Sequence, residues 1–265
     1  MHFISGLPRS GSTLLSAILR QNPMMHAGMT SPVGSMVMAM QKTMSKHNES
    51  AIFLNNEHRK RILKGIFDSY YDNANSIIFD TNRAWCSKLP LLKTLFDDVK
   101  VICSVRDVSW IMDSIEVIIR RNPLELSGLF GFEPYGSVFT RINQIAESRG
   151  LVGGAVDGLR EAFFSENNKN LLLVDYEALC LKPEQAMRKI YAWLGYEYFD
   201  HDFNNVAYEA HDFDVALGTP GLHTVRQKVE FIERKTILPP ELFDRFLCDN
   251  FWRHPPNLAY GNIIY

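Results

Sequence analysis

The fold of this chain is decided by the stretch Met1-His2-Phe3-Ile4-Ser5-Gly6-Leu7-Pro8-Arg9-Ser10-Gly11-Ser12-Thr13-Leu14-Leu15. Its apolar start predicts a short strand, and the Gly/Ser-rich turn that follows opens a helix with leucines on its apolar face. Backbone N–H groups at a helix N-terminus have no partner inside the helix, and the helix dipole adds positive potential there. A strand, a glycine loop and a helix in this order therefore predict an anion site of the kind that holds phosphate groups.

The loop nearly matches the nucleotide-triphosphate loop, Gly-x4-Gly-Lys-[Ser/Thr]. It runs from Gly6 to Gly11 and continues with Ser12 and Thr13, so a serine stands where the phosphate-binding lysine would be. The positive charge lies instead at Arg9, inside the loop. The pattern favours a phosphate-type group other than the terminal phosphate of ATP or GTP. The alternative interpretation is an ordinary turn between a strand and a helix.

The composition is that of an ordinary globular protein, and we expect one domain over residues 1–265, with 46% hydrophobic and 22% charged residues. A net charge of −2 provides no bulk attraction to nucleic acid or to anionic membranes, so we expect neither as a partner. No apolar run approaches the roughly 18 residues of a membrane span, and the first strand leaves no room for a signal peptide. The four cysteines lie far apart. We therefore expect reduced thiols and a cytoplasmic protein without membrane insertion.

Apolar β-rich runs alternate with longer amphipathic segments along the chain, which is typical of an α/β fold with a central parallel sheet flanked by helices. The predicted strands are Phe3–Ser5, Ile77–Phe79, Val99–Val105 and Leu171–Val174. The predicted helices are Ser12–Gln21, Ser31–Lys46, Glu57–Tyr71, Asp107–Arg120, two pieces within Tyr135–Phe164, Pro183–Leu194 and Pro240–Phe251.

Arginines follow three of the predicted strands, at the edge of the sheet where ligands of open α/β folds bind. Arg9 follows the first strand, Arg83 the second and Arg106 the third, and Ser114 lies two turns into the next helix. Three converging cations suit a ligand with more than one anionic group. The alternative for any one of them is a surface salt bridge.

Three sequence blocks resemble those of sulfotransferases that use 3′-phosphoadenosine 5′-phosphosulfate (PAPS). Gly6–Leu15 looks like the family's 5′-phosphosulfate loop, and Val105-Arg106-Asp107 with Ser114 is similar to its 3′-phosphate motif. Leu173–Leu179 followed by Pro183 resembles a strand–helix junction where a tyrosine contacts the cofactor. The blocks occur in the family's order. The loop has arginine rather than lysine, and in this respect it resembles the loops of bacterial and protein-tyrosine sulfotransferases more than those of cytosolic aryl sulfotransferases.

The resemblance implies a P-loop-like nucleotide-binding domain that transfers sulfonate in line from PAPS, as co-substrate, to a hydroxyl or amine without a metal. It implies a 5′-phosphosulfate site of Arg9, Ser10, Gly11, Ser12 and Thr13. Arg106 and Ser114 would hold the 3′-phosphate, Tyr176 would contact the cofactor, and Arg83 would lie near the transferring group. The resemblance also implies a basic lid with Arg226 and Lys228, for which a solvated surface is an equal alternative.

The catalytic base is where the sequence departs from the family's pattern. Cytosolic relatives use a histidine where this chain has Asn82, and the glutamate of tyrosine sulfotransferases falls on Met29 or Thr30. The nearest titratable side chains are His26, then His223, then Asp80. An amine or an acidic hydroxyl as acceptor would need little help from a base.

The acceptor and the oligomeric state are left open by the sequence. A small molecule, a saccharide and a peptide all remain as acceptors, and the sequence leaves both a monomer and a homodimer open. Two alternative functions are a phosphate-loop small-molecule kinase and a catalytically inactive relative that binds an adenine nucleotide. The kinase would need the loop lysine and a metal-binding aspartate, which the sequence does not offer.

Overall fold

The protein is described by a computed structural model over residues 1–45, 48–72, 76–134, 136–253 and 262–265. In this part of the chain six strands form one sheet: β1 (His2–Gly6), β2 (Met25–Ala27), β3 (Ile77–Thr81), β4 (Val101–Val105), β5 (Leu171–Asp175) and β6 (Asn262–Ile264). All of the pairs are parallel, and the order across the sheet is β2-β3-β1-β4-β5-β6. The predicted α/β class is confirmed.

Helices cover both faces of this sheet, as crossover connections between parallel strands require. They are α1 (Ser12–Leu19), α2 (Val33–Thr43), α3 (Asn56–Tyr70), α4 (Leu89–Leu95), α5 (Val108–Arg121), α6 (Val138–Ala146), α7 (Gly153–Phe163), α8 (Tyr176–Leu181), α9 (Pro183–Leu194), α10 (His211–Ala216) and α11 (Pro240–Asp244). Helices α1, α8 and α9 pack on one face, and α2 to α7 with α11 pack on the other.

The central strand β1 feeds both cores, because successive side chains of a strand point to opposite faces. Phe3 packs into the core under α2 to α7, and Ile4 packs into the core under α1 and α9. The ring of Phe3 lies 5.4 Å from that of Trp85 and 5.9 Å from that of Phe67, measured between centroids. Burial of the whole strand fixes the position from which the loop at residue 6 departs.

The predicted strands and most predicted helices lie where the structure has them, and Pro183–Leu194 agrees to the residue. Strands β2 and β6 were not predicted, since three residues each provide no periodic pattern. The predicted helix from 240 to 251 is too long, because the chain continues as turns after Asp244. Asn250 there donates to Asp107 (2.7 Å) instead of extending the helix. Lys46 and Tyr135, the ends of two predicted segments, lie outside the described residues.

No helix in the described part of the chain combines the length and the apolar character needed to cross a membrane. All four cysteines are free thiols, and Cys248 is the exposed one among them.

Asp80 joins β3 to the helices beside it. Its carboxylate is fully buried and accepts hydrogen bonds from the Ser31 hydroxyl (2.5 Å), the Tyr71 hydroxyl (2.6 Å) and the Trp85 indole N–H (2.6 Å). Burial, together with this carboxylate, holds the pKa of Tyr71 well above its usual range, so the phenol keeps the proton that it donates. A buried carboxylate is tolerated in a core when it is supplied with donors in this way.

We expect Asp80→Asn to lower the free energy of unfolding by at least about 2 kcal/mol, because the amide N–H₂ would face a donor where an oxygen accepted. Urea unfolding followed by circular dichroism measures this loss. Asp68→Asn, which removes an exposed i,i+4 pair with Lys64 (3.2 Å), is the control and should change stability by less than about 0.5 kcal/mol. Equal stabilities for the two variants would contradict the role of Asp80.

Candidate functional site

A cavity of about 430 Å³ opens where the strands end. Its lining includes Gly6 at the end of β1, Arg83 after β3, Arg106 after β4 and Tyr176 after β5. The structure thus brings the three strand-end arginines to one cavity, which also includes residues 222–226 from the other end of the chain.

Two glycines let the loop after β1 fit between β4 and α8. Gly6 has a φ of +110°, and a Cβ there would lie 2.2 Å from the Ser104 carbonyl oxygen. Gly11 has a φ of +94°, and its Cβ would lie 2.9 Å from the Tyr176 ring. Both positions need the left-handed backbone that glycine adopts without strain, and both need the missing side chain.

The N-terminus of α1 faces the cavity without a side-chain cap. The helix begins at Ser12, Gly11 before it makes no cap, and Ser12 and Thr13 line the cavity. Ser10 differs from these neighbours: its buried hydroxyl donates to the carbonyls of Ser104 (2.8 Å) and Leu7. The hydroxyl of Ser10 therefore braces the loop, while Ser12 and Thr13 lie at the cavity in the first turn of α1, where backbone N–H groups have no partner inside the helix.

Arg9 connects the loop to two distant segments. Its φ is +56°, and its Nε donates to the Ser114 hydroxyl on α5 (3.2 Å). Its Nη1 donates to the carbonyl of Leu222. Burial, and then the nearby Arg106 guanidinium, lower the pKa of Arg9 to about 10, so the side chain stays charged at neutral pH. Ser114 itself is buried and reaches the site through Arg9.

Arg106 stacks on an aromatic ring beside the loop. Its Cζ lies 4.4 Å from the ring centroid of Tyr176, and its Nη1 donates to the Arg9 carbonyl (3.4 Å). Burial lowers the pKa of Arg106 and raises the pKa of Tyr176, so the phenol is neutral at physiological pH. The stack is a cation–π contact that fixes the guanidinium plane.

Arg83 adds a third cation that no side chain balances. Its side chain is exposed to the cavity, and its guanidinium has no hydrogen bond or ion pair within the described residues. Loss of hydration around the guanidinium lowers the pKa of Arg83. Arg9 and Arg106 likewise form no ion pair there, and Glu230 is the one acidic side chain among the described residues of the lining. The cavity therefore has an excess of positive charge and favours an anion.

Residues 223–230 form one wall of the cavity. The N–H groups of Val225 and Val229 donate to the carbonyls of Tyr208 (3.2 Å) and Phe203 (2.8 Å), so this wall pairs with the segment before α10. Arg226 and Lys228 lie between the two valines and line the cavity, yet both are exposed, and Lys228 lies 3.9 Å from Glu230. Their position agrees with both a basic lid and a solvated surface.

His223 is paired with an aspartate that sequence reasoning missed. Its Nδ1 lies 2.5 Å from Oδ1 of Asp214, and its backbone N–H donates to Oδ2 (2.8 Å). Burial lowers the pKa of His223. The hydrogen bond and charge of Asp214 raise this pKa in part, and the charges of Arg9 and Arg83 lower it further. Asp214 lies in α10, a helix too short to show a periodic pattern, so no signal in the sequence pointed to it.

The other predicted bases do not face the cavity. His26 is the middle residue of β2, with an exposed side chain whose ring lies 5.6 Å from that of Tyr71, and it is not part of the lining. Asp80 is fully buried, is not part of the lining, and accepts hydrogen bonds from three side chains, so its carboxylate does not face the cavity either. Asn82 caps the 3-10 helix after β3 by accepting from the N–H of Ala84 (2.9 Å).

The described residues contain no group of three or more His, Cys, Asp or Glu side chains placed to hold a metal ion. On the side of His223, the cavity wall is apolar and includes Leu129, Phe213, Leu217 and Leu222. The arrangement thus joins a cationic half around the loop to an apolar half around one histidine.

A sequence model described as the sulfotransferase family matches residues 2–200 of this chain. Protein-tyrosine sulfotransferase 2 of Gallus gallus is 27% identical over 75% of the chain and 52% of its own length. Protein-tyrosine sulfotransferase A of Caenorhabditis elegans is 27% identical over 72% of the chain and 49% of its own length. The chain spans about half the length of these curated relatives.

Solved structures share the fold. The sulfotransferase domain from the curacin biosynthetic pathway superposes with a TM-score of 0.54 at 15% identity, covering 98% of this chain and 92% of that domain. The sulfotransferase domain from the Synechococcus PCC 7002 olefin synthase gives 0.51 at 20% identity, with 98% and 89% covered. The chain belongs to the sulfotransferase family.

We expect sulfate to raise the melting temperature of the protein relative to chloride at equal ionic strength, because an anion relieves repulsion among the cavity arginines. Arg83→Gln should reduce this increment by at least about half, since it removes an unpaired cation. Arg188→Gln, which removes an exposed partner of Glu184 (2.8 Å), corrects for general salting effects and should retain the increment. Differential scanning calorimetry measures both, and an undiminished increment in Arg83→Gln would contradict the anion site.

Proposed function

We propose that residues 1–265 act as one sulfotransferase domain that moves the sulfonate group of PAPS to a hydroxyl or amine of an acceptor by in-line transfer. The observation that carries this proposal is the cationic cavity around a phosphate-type loop that has Arg9 and lacks the nucleotide-triphosphate lysine. Family membership supports the same chemistry.

The two anionic ends of PAPS fit two parts of the cavity. The backbone N–H groups of Gly11, Ser12 and Thr13, with the charge of Arg9, suit the 5′-phosphosulfate. Arg106 suits the 3′-phosphate, with Tyr176 stacked beneath its guanidinium. Ser114 contributes to this subsite through the hydrogen bond that its hydroxyl accepts from Arg9. In this assignment Ser10 contributes through its brace on the loop, and Arg226 and Lys228 cover the donor from the opposite wall.

The chemistry requires fixed positive donors more than covalent participation. As the bond between sulfur and the bridging oxygen breaks, charge grows on the departing phosphate and is shared with the equatorial sulfonate oxygens. By analogy with phosphoryl transfer, donors already aimed at that charge supply most of the catalysis. Arg83 suits the sulfonate oxygens, because its guanidinium faces the cavity without a partner and lies close enough to His223 to influence its pKa.

A kinase function finds less support in the same cavity. ATP transfer uses a loop lysine and a carboxylate that holds magnesium. Ser12 occupies the lysine position, and Asp80, the carboxylate near the end of β3, is buried and accepts hydrogen bonds from three side chains.

The acceptor side of the cavity favours a hydroxyl carried by an apolar group. Leu129, Phe213 and Leu217 line the wall next to His223, and Phe213 packs edge-to-face against that histidine with 5.6 Å between ring centroids. An aliphatic or aryl alcohol, including the phenol of a peptide tyrosine, fits such a wall better than a highly hydrated saccharide.

Calorimetric titration with adenosine 3′,5′-bisphosphate, run beside ATP with magnesium, tests the donor assignment. We expect micromolar binding of the bisphosphate and little binding of ATP, because the cavity provides for a 3′-phosphate and lacks the lysine for a terminal phosphate. Tight, magnesium-dependent ATP binding with no preference for the bisphosphate would contradict the assignment.

Two arginine variants separate binding from transfer. Arg106→Ala should weaken bisphosphate binding by about tenfold or more, because it removes a charge-assisted contact to the 3′-phosphate. Arg9→Ala should reduce the transfer rate by about a hundredfold or more, because its charge stabilises the transition state. Arg188→Ala on the surface is the control for both measurements. Unchanged bisphosphate affinity in Arg106→Ala would show that the 3′-phosphate binds elsewhere.

A further inference from the structure

We propose that His223 and Asp214 form a catalytic dyad, in which His223 accepts the proton of the acceptor hydroxyl and Asp214 is the positioning residue that orients it. The inference rests on the sulfotransferase function proposed above and names its base. No sequence pattern indicated the pair, because its members belong to a short helix and to the loop that follows it.

The carboxylate of Asp214 holds one residue at two points. Oδ1 lies 2.5 Å from Nδ1 of His223, and Oδ2 accepts the backbone N–H of the same histidine (2.8 Å). Asp214 is 1% exposed, so water does not compete for these contacts. The two contacts fix both the backbone and the ring, and leave the imidazole few orientations.

The loop between the two residues is anchored on both sides. The Thr219 N–H donates to the Asp214 carbonyl (2.9 Å), and its hydroxyl lies 2.8 Å from that of Ser127. Leu222, directly before the histidine, accepts from Arg9. The dyad is therefore held against the phosphate-type loop by a hydrogen bond. The distance between the sulfonate donor and the base does not depend on a free surface loop.

The hydrogen bond assigns the proton within the imidazole. A carboxylate only accepts, so Nδ1 carries the hydrogen in the neutral ring, and Nε2 carries the lone pair. Nε2 of His223 has no hydrogen bond within the described residues, and the side chain lines the cavity. A general base needs this combination of a fixed ring, a free lone pair and access to the substrate.

The charges around His223 keep it ready to accept a proton. The groups that act on it are Asp214, which raises its pKa, and Arg9 and Arg83, which lower it, with the ring of Phe213 packed edge-to-face beside it. Burial is the largest influence, and the net pKa lies below the usual value of 6.5. The ring is therefore neutral at pH 7, and the aspartate stabilises the imidazolium that forms during transfer.

The proposed step balances as a proton transfer coupled to substitution at sulfur. A lone pair of the acceptor oxygen forms the new O–S bond, while the O–H bond breaks and its proton passes to Nε2 of His223. The bond between sulfur and the bridging oxygen breaks, and its electron pair leaves with adenosine 3′,5′-bisphosphate. The proton on His223 is then released to solvent.

Water can replace the unidentified acceptor in a direct test. Sulfur-labelled PAPS is mixed with enzyme in excess, and release of labelled sulfate is followed in a single turnover over a range of pH. His223→Gln should lower the rate by about a hundredfold, because water is a weak acid that needs a base. His211→Gln and Asp212→Asn place the same substitutions at exposed positions of α10 and should match the wild type.

Asp214→Asn separates positioning from a merely structural role. We expect a rate about tenfold lower and an acidic limb of the pH profile that moves to lower pH, because removal of the carboxylate charge lowers the pKa of His223. Bisphosphate affinity within about threefold of the wild type shows that each variant is folded and binds donor.

Several outcomes would overturn the dyad. A His223→Gln rate equal to the wild type, or an unshifted acidic limb in Asp214→Asn, contradicts the base or its positioning residue. A wild type that binds the bisphosphate yet never releases sulfate also contradicts the dyad. A wild type that fails to bind the bisphosphate contradicts the sulfotransferase proposal itself, so the two failures are distinguishable.

Discussion

The site depends on keeping buried positive charge without a carboxylate to neutralise it. Burial of a charged group is costly unless hydrogen bonds or an opposite charge compensate. Arg9 is compensated by a serine hydroxyl and a backbone carbonyl, and Arg106 by the face of Tyr176. Neutral partners hold the guanidinium groups in place and leave their charge available, so the fold retains an affinity for anions at the end of β1.

That constraint explains why distant segments meet there. The Ser114 hydroxyl comes from α5, the Leu222 carbonyl from the loop after α10 and the Tyr176 ring from the start of α8. Each supplies a neutral partner to an arginine of the cavity. The same loop after α10 carries His223, so one set of contacts positions both the anion half of the cavity and the base proposed for the acceptor. In the proposed reaction, anion binding and proton transfer would therefore depend on the same loop.

The sequence was enough to predict the site residues that belong to one short motif or that directly follow a strand. Gly6, Arg9 and Gly11 lie within one short motif, and Arg83 and Arg106 directly follow apolar strands, so pattern and topology were enough to bring them together. Side-chain direction was not predictable: the Ser10 hydroxyl braces the loop from inside, and His26 points away from the cavity on an edge strand. Asp214 was missed because its partner lies nine residues later across an irregular loop, where no periodicity links the two.

A crystal structure of the protein with adenosine 3′,5′-bisphosphate would show directly whether the cationic cavity holds this nucleotide. We expect the 5′-phosphate against the backbone N–H groups of residues 11–13 and the 3′-phosphate beside Arg106, with Nε2 of His223 facing the open side of the 5′-phosphate. A 3′-phosphate far from Arg106, or a nucleotide bound outside this cavity, would contradict it.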